Sequence, residues 1–335
     1  MKILITGGAG YIGSHTCVEL LNNNYELVII DNFSNSKKEV LEKIKEITKK
    51  DFKFYEGDCC KEETLDKIFN ENKIDAVIHF AGYKAVGESV QKPLKYYENN
   101  LESTISLLKI MDKHNCKKLV FSSSATVYGK PKSLPIKEDF PLSTTNPYGT
   151  TKLMIEMILK DLYISDNTWD IAILRYFNPI GAHSSGLIGE NPNDIPNNLM
   201  PYITKVATKE LECLSVFGND YDTKDGTGVR DYIHVTDLAK GHLKAIESFD
   251  KYKGIDYYNL GTGNGYSVLE IIENFEKANN LKLTYKIVER RPGDIDACFA
   301  DPTHAKEKLN WQAEKGIEEM CKDSYNYIIN AKKED

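Results

Sequence analysis

The stretch Thr6-Gly7-Gly8-Ala9-Gly10-Tyr11-Ile12-Gly13 joins an apolar run at residues 2–6 to a segment with helical periodicity. Its glycines at positions 7, 10 and 13 match the spacing of a loop that binds a dinucleotide. One glycine permits a tight turn, the next lets the backbone approach a pyrophosphate at the helix N-terminus, and the third lets the helix pack closely on the strand. The stretch therefore predicts a dinucleotide-binding loop with contacts from Gly7, Gly10, Tyr11, Ile12 and Gly13.

On either side of this loop, short apolar runs alternate with helical patterns, which is typical of a buried parallel sheet. We predict an α/β fold with a doubly wound, Rossmann-like parallel sheet in residues 1–179 and a second, smaller mixed α/β domain in residues 180–335. A further strand at 257–261 is expected to return to the first sheet, within a segment near 230–262. The other predicted strands are residues 2–6, 26–31, 52–56, 76–80, 118–122 and 171–176.

The composition is that of a globular protein. The chain has 335 residues, of which 41% are hydrophobic and 28% charged, and its net charge is −7. This length can bury two joined cores. A protein with a negative net charge lacks the positive electrostatic potential that attracts nucleic acid or anionic lipid. We therefore expect neither nucleic acid nor a membrane as a partner.

Seven cysteines, at 17, 59, 60, 116, 213, 298 and 321, form no Cys-x-x-Cys pair. This pattern predicts neither a disulfide framework nor a zinc site, and free thiols are typical of a reducing compartment. The N-terminal apolar run ends too early for a signal peptide, and no apolar run approaches the roughly 18 residues of a membrane span. We expect a cytoplasmic protein that binds no metal.

Acidic residues follow two of the predicted strands. Asp31 ends the second strand, where a carboxylate can accept both ribose hydroxyls of a dinucleotide and repel a 2′-phosphate. Asn32 follows as a further cofactor contact, and no arginine comes next, so the sequence favours NAD over NADP. Asp58 follows the third strand and is either an adenine-side contact or an ordinary turn residue.

Tyr148 and Lys152 are four residues apart, so their side chains share one face of a helix. Asn146-Pro147 can begin that helix, and Ser124 lies near the end of a predicted core strand, at the edge where such sheets bind ligands. A free tyrosine titrates near 10, and a neighbouring ammonium stabilises its phenolate. We predict that Tyr148 is the catalytic acid/base, that Lys152 supports it, and that Ser124 hydrogen-bonds the reacting hydroxyl.

The Tyr-x-x-x-Lys pair and the glycine loop together resemble the extended short-chain dehydrogenase/reductase superfamily. Further stretches, in order along nearly the whole chain, are similar to the UDP-glucose 4-epimerase family. This resemblance implies an NAD-dependent enzyme that interconverts UDP-galactose and UDP-glucose through a transient 4-keto sugar. The stretches are 80–89 (FAGYKAVGES), 122–129 (SSSATVYG), 175–179 (RYFNP), 195–202 (IPNNLMPY) and 226–235 (GTGVRDYIHV).

The resemblance also implies which residues bind the ligands. NAD would contact Lys84 together with Tyr148 and Lys152. A UDP-sugar would bind in the second domain, with Asp294 at its ribose. The family further implies a homodimer formed through helices near residues 94–113 and 148–162. The other implied residues are Phe80, Ala81, Asn99 and Tyr176 for the NAD pocket, and Asn178, Asn198, Arg230 and Arg291 for the UDP group.

Composition adds an independent observation about the arginines. This lysine-rich chain contains only four, at 175, 230, 290 and 291. Because a guanidinium can grip phosphate oxygens bidentately and an ammonium cannot, each arginine is a candidate phosphate ligand, with a structural role as the alternative.

Cys298 lies where family members restricted to glucose and galactose resemble one another in having tyrosine, whereas members that accept N-acetylated sugars have a small residue. A thiol in place of a ring would free space for an acetamido group, so acceptance of UDP-GlcNAc and UDP-GalNAc is a hypothesis. The alternative is an ordinary buried thiol whose space is filled by its neighbours.

Two other functions are alternatives to an epimerase. Nucleotide-sugar 4,6-dehydratases and decarboxylases of the same superfamily carry acidic residues just after the position of Ser124, where this chain has Ala125 and Thr126. A protein that binds NAD without turnover would need the Tyr148–Lys152 pair to be broken, and both residues are present. Tyr83 departs from the aliphatic residue expected in the family, and its role is left open.

Overall fold

The computed structural model describes residues 1–191, 198–291 and 294–334. Residues 195–197 of one family-like stretch lie outside these ranges. The described strands are β1 (Lys2–Thr6), β2 (Glu26–Asp31), β3 (Lys53–Glu56), β4 (Ala76–His79), β5 (Lys118–Ser124), β6 (Asp170–Tyr176), β7 (Asn178–Ile180), β8 (Leu214–Phe217), β9 (Val229–His234), β10 (Ile255–Leu260), β11 (Gly265–Ser267), β12 (Tyr285–Val288) and β13 (Ala297–Cys298).

Helices connect most of these strands, and a short 3₁₀ turn follows β5 at Ala125–Tyr128. The described helices are α1 (Tyr11–Asn22), α2 (Glu39–Thr48), α3 (Glu62–Glu71), α4 (Val86–Gln91), α5 (Pro93–Lys113), α6 (Pro147–Ser165), α7 (Leu199–Ala207), α8 (Val235–Ser248), α9 (Val268–Asn279), α10 (Thr303–Leu309) and α11 (Ile317–Glu334).

The main sheet has seven strands in the order β10-β6-β5-β4-β1-β2-β3, and all of its ladders are parallel. The prediction of a doubly wound α/β fold is confirmed. The chain adds strands in one direction from β1 to β3 and in the other from β4 onward, so β1 and β4 flank the switch point. In such sheets the ligand crevice lies outside the carboxyl ends of the strands at this point.

Both faces of this sheet are buried, as the continuous apolar runs of its strands predict. In β1, Ile3 and Ile5 belong to the core on one face, whereas Leu4 belongs to the core on the other. All three side chains are fully buried. The two layers of helices therefore hold the strand ends, and the loops that follow them, in fixed positions.

Strand β5 is longer than predicted and ends at Ser124 instead of residue 122. The reason is its partner, because Ser123 and Ser124 continue the parallel ladder opposite Arg175 and Tyr176 of β6. This pairing keeps Ser124 in the sheet, directly before the 3₁₀ turn. The predicted bounds of β1 and β2 are the observed ones, and those of β3, β4, β6 and β10 differ from the observed bounds by one or two residues.

A second group of strands surrounds β9, which pairs with β7 and β13 in parallel and with β11 in the antiparallel direction. Strands β8 and β12 form a separate parallel pair. Ile203, Phe275 and Met320 lie in the core of this part of the chain. Strand β10 and helix α8 belong instead to the first sheet, since β10 pairs with β6 and α8 packs against α1. The division into domains at residue 180 stays a prediction.

None of the helices in the described ranges is long and apolar enough to cross a membrane. All seven cysteines are free thiols.

Candidate active site

The glycine loop between β1 and α1 is shaped by close backbone contacts. Gly7 has a φ of +72°, which favours glycine. A Cβ atom at Gly13 would lie 2.4 Å from the carbonyl oxygen of Gly7, so any larger residue would force the helix away from the loop. The third glycine therefore has the packing role that the spacing predicts. The loop leaves its backbone at the start of α1 open toward a cavity.

Asp31 is held in a defined orientation at the end of β2. Its Oδ2 accepts a hydrogen bond from the backbone N–H of Ala9 at 3.0 Å. Its Oδ1 accepts from the N–H of Phe33 at 2.9 Å and from the Ser36 hydroxyl at 2.8 Å. The carboxylate is thus oriented against the glycine loop. Oδ1 already accepts two hydrogen bonds, whereas Oδ2 accepts one and retains acceptor capacity for a further hydroxyl.

A cavity of about 360 Å³ lies at the carboxyl ends of the sheet strands, along the loop and the start of α1. Every residue predicted to contact the cofactor lines it, although these residues are spread over positions 7–176 of the chain. These residues are Gly7, Gly10, Tyr11, Ile12, Gly13, Asp31, Asn32, Asp58, Phe80, Ala81, Lys84, Asn99, Tyr148, Lys152 and Tyr176.

Helix α6 presents Tyr148 and Lys152 on successive turns. It begins as predicted, since the side chain of Asn146 caps it by accepting from the N–H of Gly149 at 2.8 Å. The Lys152 Nζ donates to the carbonyl oxygen of Ser122 at 2.7 Å and lies 6.0 Å from the centre of the Tyr148 ring. The end of β5 therefore fixes the ammonium next to the tyrosine.

Burial shifts the titration of both residues. It raises the pKa of Tyr148, and a hydrogen bond from Ser124 partly opposes the rise. Burial lowers the pKa of Lys152 to about 8, and the carboxylate of Glu156 partly opposes that fall. At neutral pH the lysine remains a cation, whereas the tyrosine holds its proton until further positive charge or a hydrogen bond stabilises its phenolate.

Ser124 lies beside Tyr148, but it does not belong to the described set of cavity-lining residues. Its Oγ accepts from the N–H of Thr126 at 3.2 Å and from the Thr126 hydroxyl at 3.0 Å. With these acceptor positions taken, the Ser124 hydrogen is free to donate to the Tyr148 oxygen, or to a substrate oxygen in the same place.

The residues predicted to hold the UDP group are brought together only in part. Asn198 lines the cavity. Arg230 of β9 lies opposite Cys298 of β13 in the ladder and 3.6 Å from the carboxylate of Asp294. These three residues form a group at the second sheet. The guanidinium of Arg291 lies 4.0 Å from the centre of the Phe217 ring. Asn178 begins β7 and pairs with Tyr232 of β9.

The other two arginines have partners in the protein. Arg175 is buried and forms a bidentate ion pair with Glu156, with nitrogen–oxygen distances of 3.1 and 2.7 Å. Arg290 pairs with Asp220 at 2.7 Å and lies over the Tyr221 ring. Arg175 is therefore a structural arginine and not a phosphate ligand. Its guanidinium is paired with a carboxylate that lies one helical turn after Lys152 on α6.

Sequence reasoning missed a buried amide that joins two walls of the site. The Asn100 Oδ1 accepts from the N–H of Tyr83 at 2.7 Å, and its Nδ2 donates to the Tyr83 carbonyl at 3.1 Å and to the Thr151 hydroxyl at 3.0 Å. Asn100 thus ties the loop after β4 to helix α6. The Tyr83 ring packs against Tyr96. No spacing rule identifies such an amide, because its partners lie 17 and 51 residues away.

Glu190 was also missed. One of its oxygens lies 3.0 Å from the Lys84 Nζ and 2.9 Å from the Asn198 Nδ2, and all three residues line the cavity. The residue lies in a Gly- and Asn-rich loop with no motif. One sequence signal could have identified it: Glu190 is an acidic residue that lies, along the chain, between the predicted binding residues Lys84 and Asn198.

Comparisons with known proteins agree with this geometry. A family model described as GDP-mannose 4,6 dehydratase matches residues 4–324. The UDP-glucose 4-epimerase of Bacillus subtilis (strain 168) is 64% identical over 98% of this chain and 96% of the relative. The chain belongs to the UDP-glucose 4-epimerase family. Membership confirms the resemblance seen in the sequence.

Solved structures of the same epimerase family match over nearly their full length. The Bifidobacterium longum enzyme, in complex with NAD+ and UDP, is 55% identical with a TM-score of 0.95 and 98% of each chain covered. The Stenotrophomonas maltophila enzyme, with bound NAD and formylated UDP-arabinopyranose, is 45% identical with a TM-score of 0.98 and 100% of each chain covered. The epimerase prediction is thereby confirmed over the dehydratase or decarboxylase alternative.

Proposed function

We propose that this chain interconverts UDP-galactose and UDP-glucose by oxidising and reducing C4 of the sugar, with NAD held throughout the cycle. The observation that carries the proposal is the Tyr148–Lys152 pair on α6, fixed against the end of β5 in the wall of the cavity that the glycine loop also lines. Nothing is oxidised in net terms, so the cofactor need not leave between turnovers.

The residues of the cavity fit NAD. The space between Gly7 and Gly13 admits no Cβ atom, so α1 begins close to β1, as the third glycine of a dinucleotide-binding loop allows. Asp31 is oriented with acceptor capacity on Oδ2 for a ribose hydroxyl. Its negative charge opposes a 2′-phosphate. When bound, the nicotinamide supplies reversible acceptance of a hydride from C4. Lys84, Asn99 and Tyr176, with the loop, would hold it.

Tyr148 moves the proton at the C4 hydroxyl. It accepts this proton as C4 becomes a ketone and returns it in the second half of the cycle, with the Lys152 ammonium stabilising the phenolate. Ser124 donates a hydrogen bond to the same sugar oxygen. The 4-keto sugar then rotates within the site, so that C4 receives the hydrogen back on its opposite face.

The UDP group would anchor the substrate while the sugar turns. Arg230 and Arg291 would pair with the diphosphate, Asn178 and Asn198 would hydrogen-bond it, and Asp294 would accept from the ribose. The 3.6 Å contact between Arg230 and Asp294 supports this, because it brings a cation for phosphate and an acceptor for ribose into one group. The 4-keto sugar can rotate without leaving the site only if UDP is bound firmly and the sugar loosely.

We propose that the sugar pocket also accepts N-acetylated substrates. Cys298 lies opposite Arg230 in the ladder and packs with Val127, Phe177 and Ala300. A thiol there occupies less volume than an aromatic ring, and pockets discriminate such substituents by volume. Cys298→Tyr should abolish turnover of UDP-GalNAc and spare that of UDP-galactose. If the parent does not turn over UDP-GalNAc, the hypothesis fails while the simple epimerase proposal stands.

We infer a homodimer formed through α5 and α6, which pack against each other and both expose apolar side chains at helical spacing. Leu94 on α5 is 79% exposed, and Met157 and Ile164 on α6 are 59% and 69% exposed. A second copy would bury this stripe. The free thiols support a reducing compartment, and we propose the cytoplasm.

The deciding experiment adds UDP-galactose to the purified protein without added NAD and measures UDP-glucose. We expect turnover, because the cofactor is carried by the protein. Tyr148→Phe should fold and retain NAD, yet lose at least about 10²-fold in turnover, as expected for a missing acid/base. A parent that forms no UDP-glucose, or a variant as active as the parent, would contradict the proposal.

A further inference from the structure

Glu190 places one carboxylate oxygen between two residues from different parts of the site. The Oε1 atom lies 3.0 Å from the Nζ of Lys84 and 2.9 Å from the Nδ2 of Asn198. The Glu190 side chain is only 10% exposed. This single oxygen therefore forms a bridge across the cavity wall. Its carboxylate is largely removed from water, whereas the Lys84 side chain is 44% exposed.

The two ends of the bridge serve different ligands in the proposed function. Lys84 follows β4 of the first sheet and is a proposed NAD contact, whereas Asn198 directly precedes α7 and is a proposed UDP contact. They are joined through Glu190, which is 106 residues from Lys84 and 8 from Asn198. Both donors are on side chains that could otherwise move independently.

The segment before Glu190 is held by the C-terminal helix. Gly189 pairs with Ala182 in an isolated bridge, and a Cβ atom at Gly189 would lie 2.4 Å from the Tyr327 ring of α11. The base of this segment is tied to the glycine loop as well, because the Tyr11 hydroxyl donates to the Gly181 carbonyl at 2.7 Å. The fold, rather than a ligand, thus sets the position of the carboxylate.

A buried carboxylate is unexpected in a cavity that takes two diphosphates, since it repels both of them. Removing a charge from water is also costly unless partners compensate for it. A neutral residue at position 190 would avoid both the repulsion and the desolvation cost. We therefore expect a role in which Glu190 must accept hydrogen bonds from two donors at once.

We propose that Glu190 is a positioning residue that couples the two binding sites. By holding Lys84 and Asn198 to one oxygen, it makes the geometry of the cofactor site depend on that of the UDP site. Binding of UDP then tightens the hold on NAD, and by thermodynamic linkage NAD tightens the hold on UDP to the same extent. The inference rests on the proposed function, because that function assigns the two ligands to the two ends of the bridge.

The test measures the rate of NAD release from the purified, NAD-loaded protein with and without saturating UDP. In the parent, UDP should slow release by about fivefold or more, the lower end of typical coupling between sites. In Glu190→Ala this ratio should fall to near one. Glu190→Gln keeps an acceptor oxygen for both donors and should retain at least about half of the parent's ratio.

Glu314→Gln is the matched control, because Glu314 forms an exposed ion pair with Lys240 away from the cavity. It should reproduce the parent's ratio. The coupling is overturned if UDP does not slow release in the parent, if Glu190→Ala keeps the parent's ratio, or if Glu190→Gln loses it as fully as Glu190→Ala. Release needs no turnover, so a parent that couples the ligands but forms no UDP-glucose would overturn the proposed function instead.

Discussion

At the scale of single residues, Asp31 is a proposed cofactor contact whose side chain is already oriented at the end of a strand. Three donors, from Ala9, Phe33 and Ser36, orient its carboxylate before any cofactor binds. This preorganisation lowers the entropy that binding must remove. In the proposed function the same charge would discriminate between two cofactors that differ by one phosphate, so a single side chain would have both an attractive and a repulsive role.

Asp31→Asn should weaken the preference for NAD over NADP by about tenfold or more, since it removes the repelling charge and keeps one acceptor oxygen. The measurement is the ratio of the two dinucleotides bound after equilibration with an equimolar mixture. Asp51→Asn, at an exposed acid paired with Lys45, is the control and should keep the parent's ratio. An unchanged ratio in Asp31→Asn would mean that Asp31 only caps its strand.

At the scale of an element, helix α6 carries charge as well as shape. Tyr148, Lys152 and Glu156 follow one another at one-turn intervals, and the Glu156 carboxylate forms an ion pair with Arg175. His79 is a further titratable group close enough to the ammonium to be affected by it; burial lowers its pKa to about 3, so this imidazole is neutral in the working range. Glu156 is thus the anion that helps keep Lys152 protonated.

Glu156→Gln should move the alkaline limb of the pH profile for kcat/KM to lower pH. Lys152 has a pKa of about 8 with the carboxylate present; without it the pKa falls further, and the cation is lost at a lower pH. The shift is read from kcat/KM measured between about pH 6 and 10, the range around this pKa. A profile that coincides with the parent's would contradict the coupling.

The same substitution leaves Arg175 buried and unpaired, so stability should fall by about 3–5 kcal/mol. The double variant Glu156→Gln/Arg175→Met removes both charges and should recover part of that loss in thermal unfolding. It separates the structural contribution of the ion pair from its electrostatic effect on Lys152.

At the scale of the whole molecule, the apolar stripe of α5 and α6 lies on the helices that also form the site. Helix α6 carries Tyr148 on one face and exposes Met157 on another. Helix α5 carries Asn99 in the cavity wall. Association through this stripe would therefore stabilise the elements that position the proposed catalytic pair, Tyr148 and Lys152.

Leu94→Glu combined with Met157→Glu should convert a dimer into a monomer, because four charges would be buried at the interface of two copies. The molar mass from light scattering coupled to gel filtration measures this. Ile287→Glu, at a 47% exposed position on β12, is the control and should leave the mass unchanged. A monomeric parent would contradict the dimer. A double variant that stays dimeric would mean that the interface lies elsewhere.

The features that the amino-acid sequence determined by itself are local ones. The three glycines, the alternation of strands and helices, and the spacing of Tyr148 and Lys152 depend on turn geometry and helical period, which act over a few residues. The N-cap at Asn146 and the acid at the end of β2 belong to the same class. The stretches that resemble the epimerase family indicated candidate UDP contacts, but they did not indicate how these residues are arranged in space.

Only the tertiary structure decided how distant groups meet. Glu190 and Lys84 are 106 residues apart, and Asn100 and Thr151 are 51 apart, so no periodicity relates them. The end of β5 depended on its ladder with β6, and the role of Arg175 depended on a carboxylate from another element. These contacts exist because burial of the two sheet faces brings the strand ends together. Packing of the whole chain, rather than any local pattern, selects which side chains share a charge or a hydrogen bond.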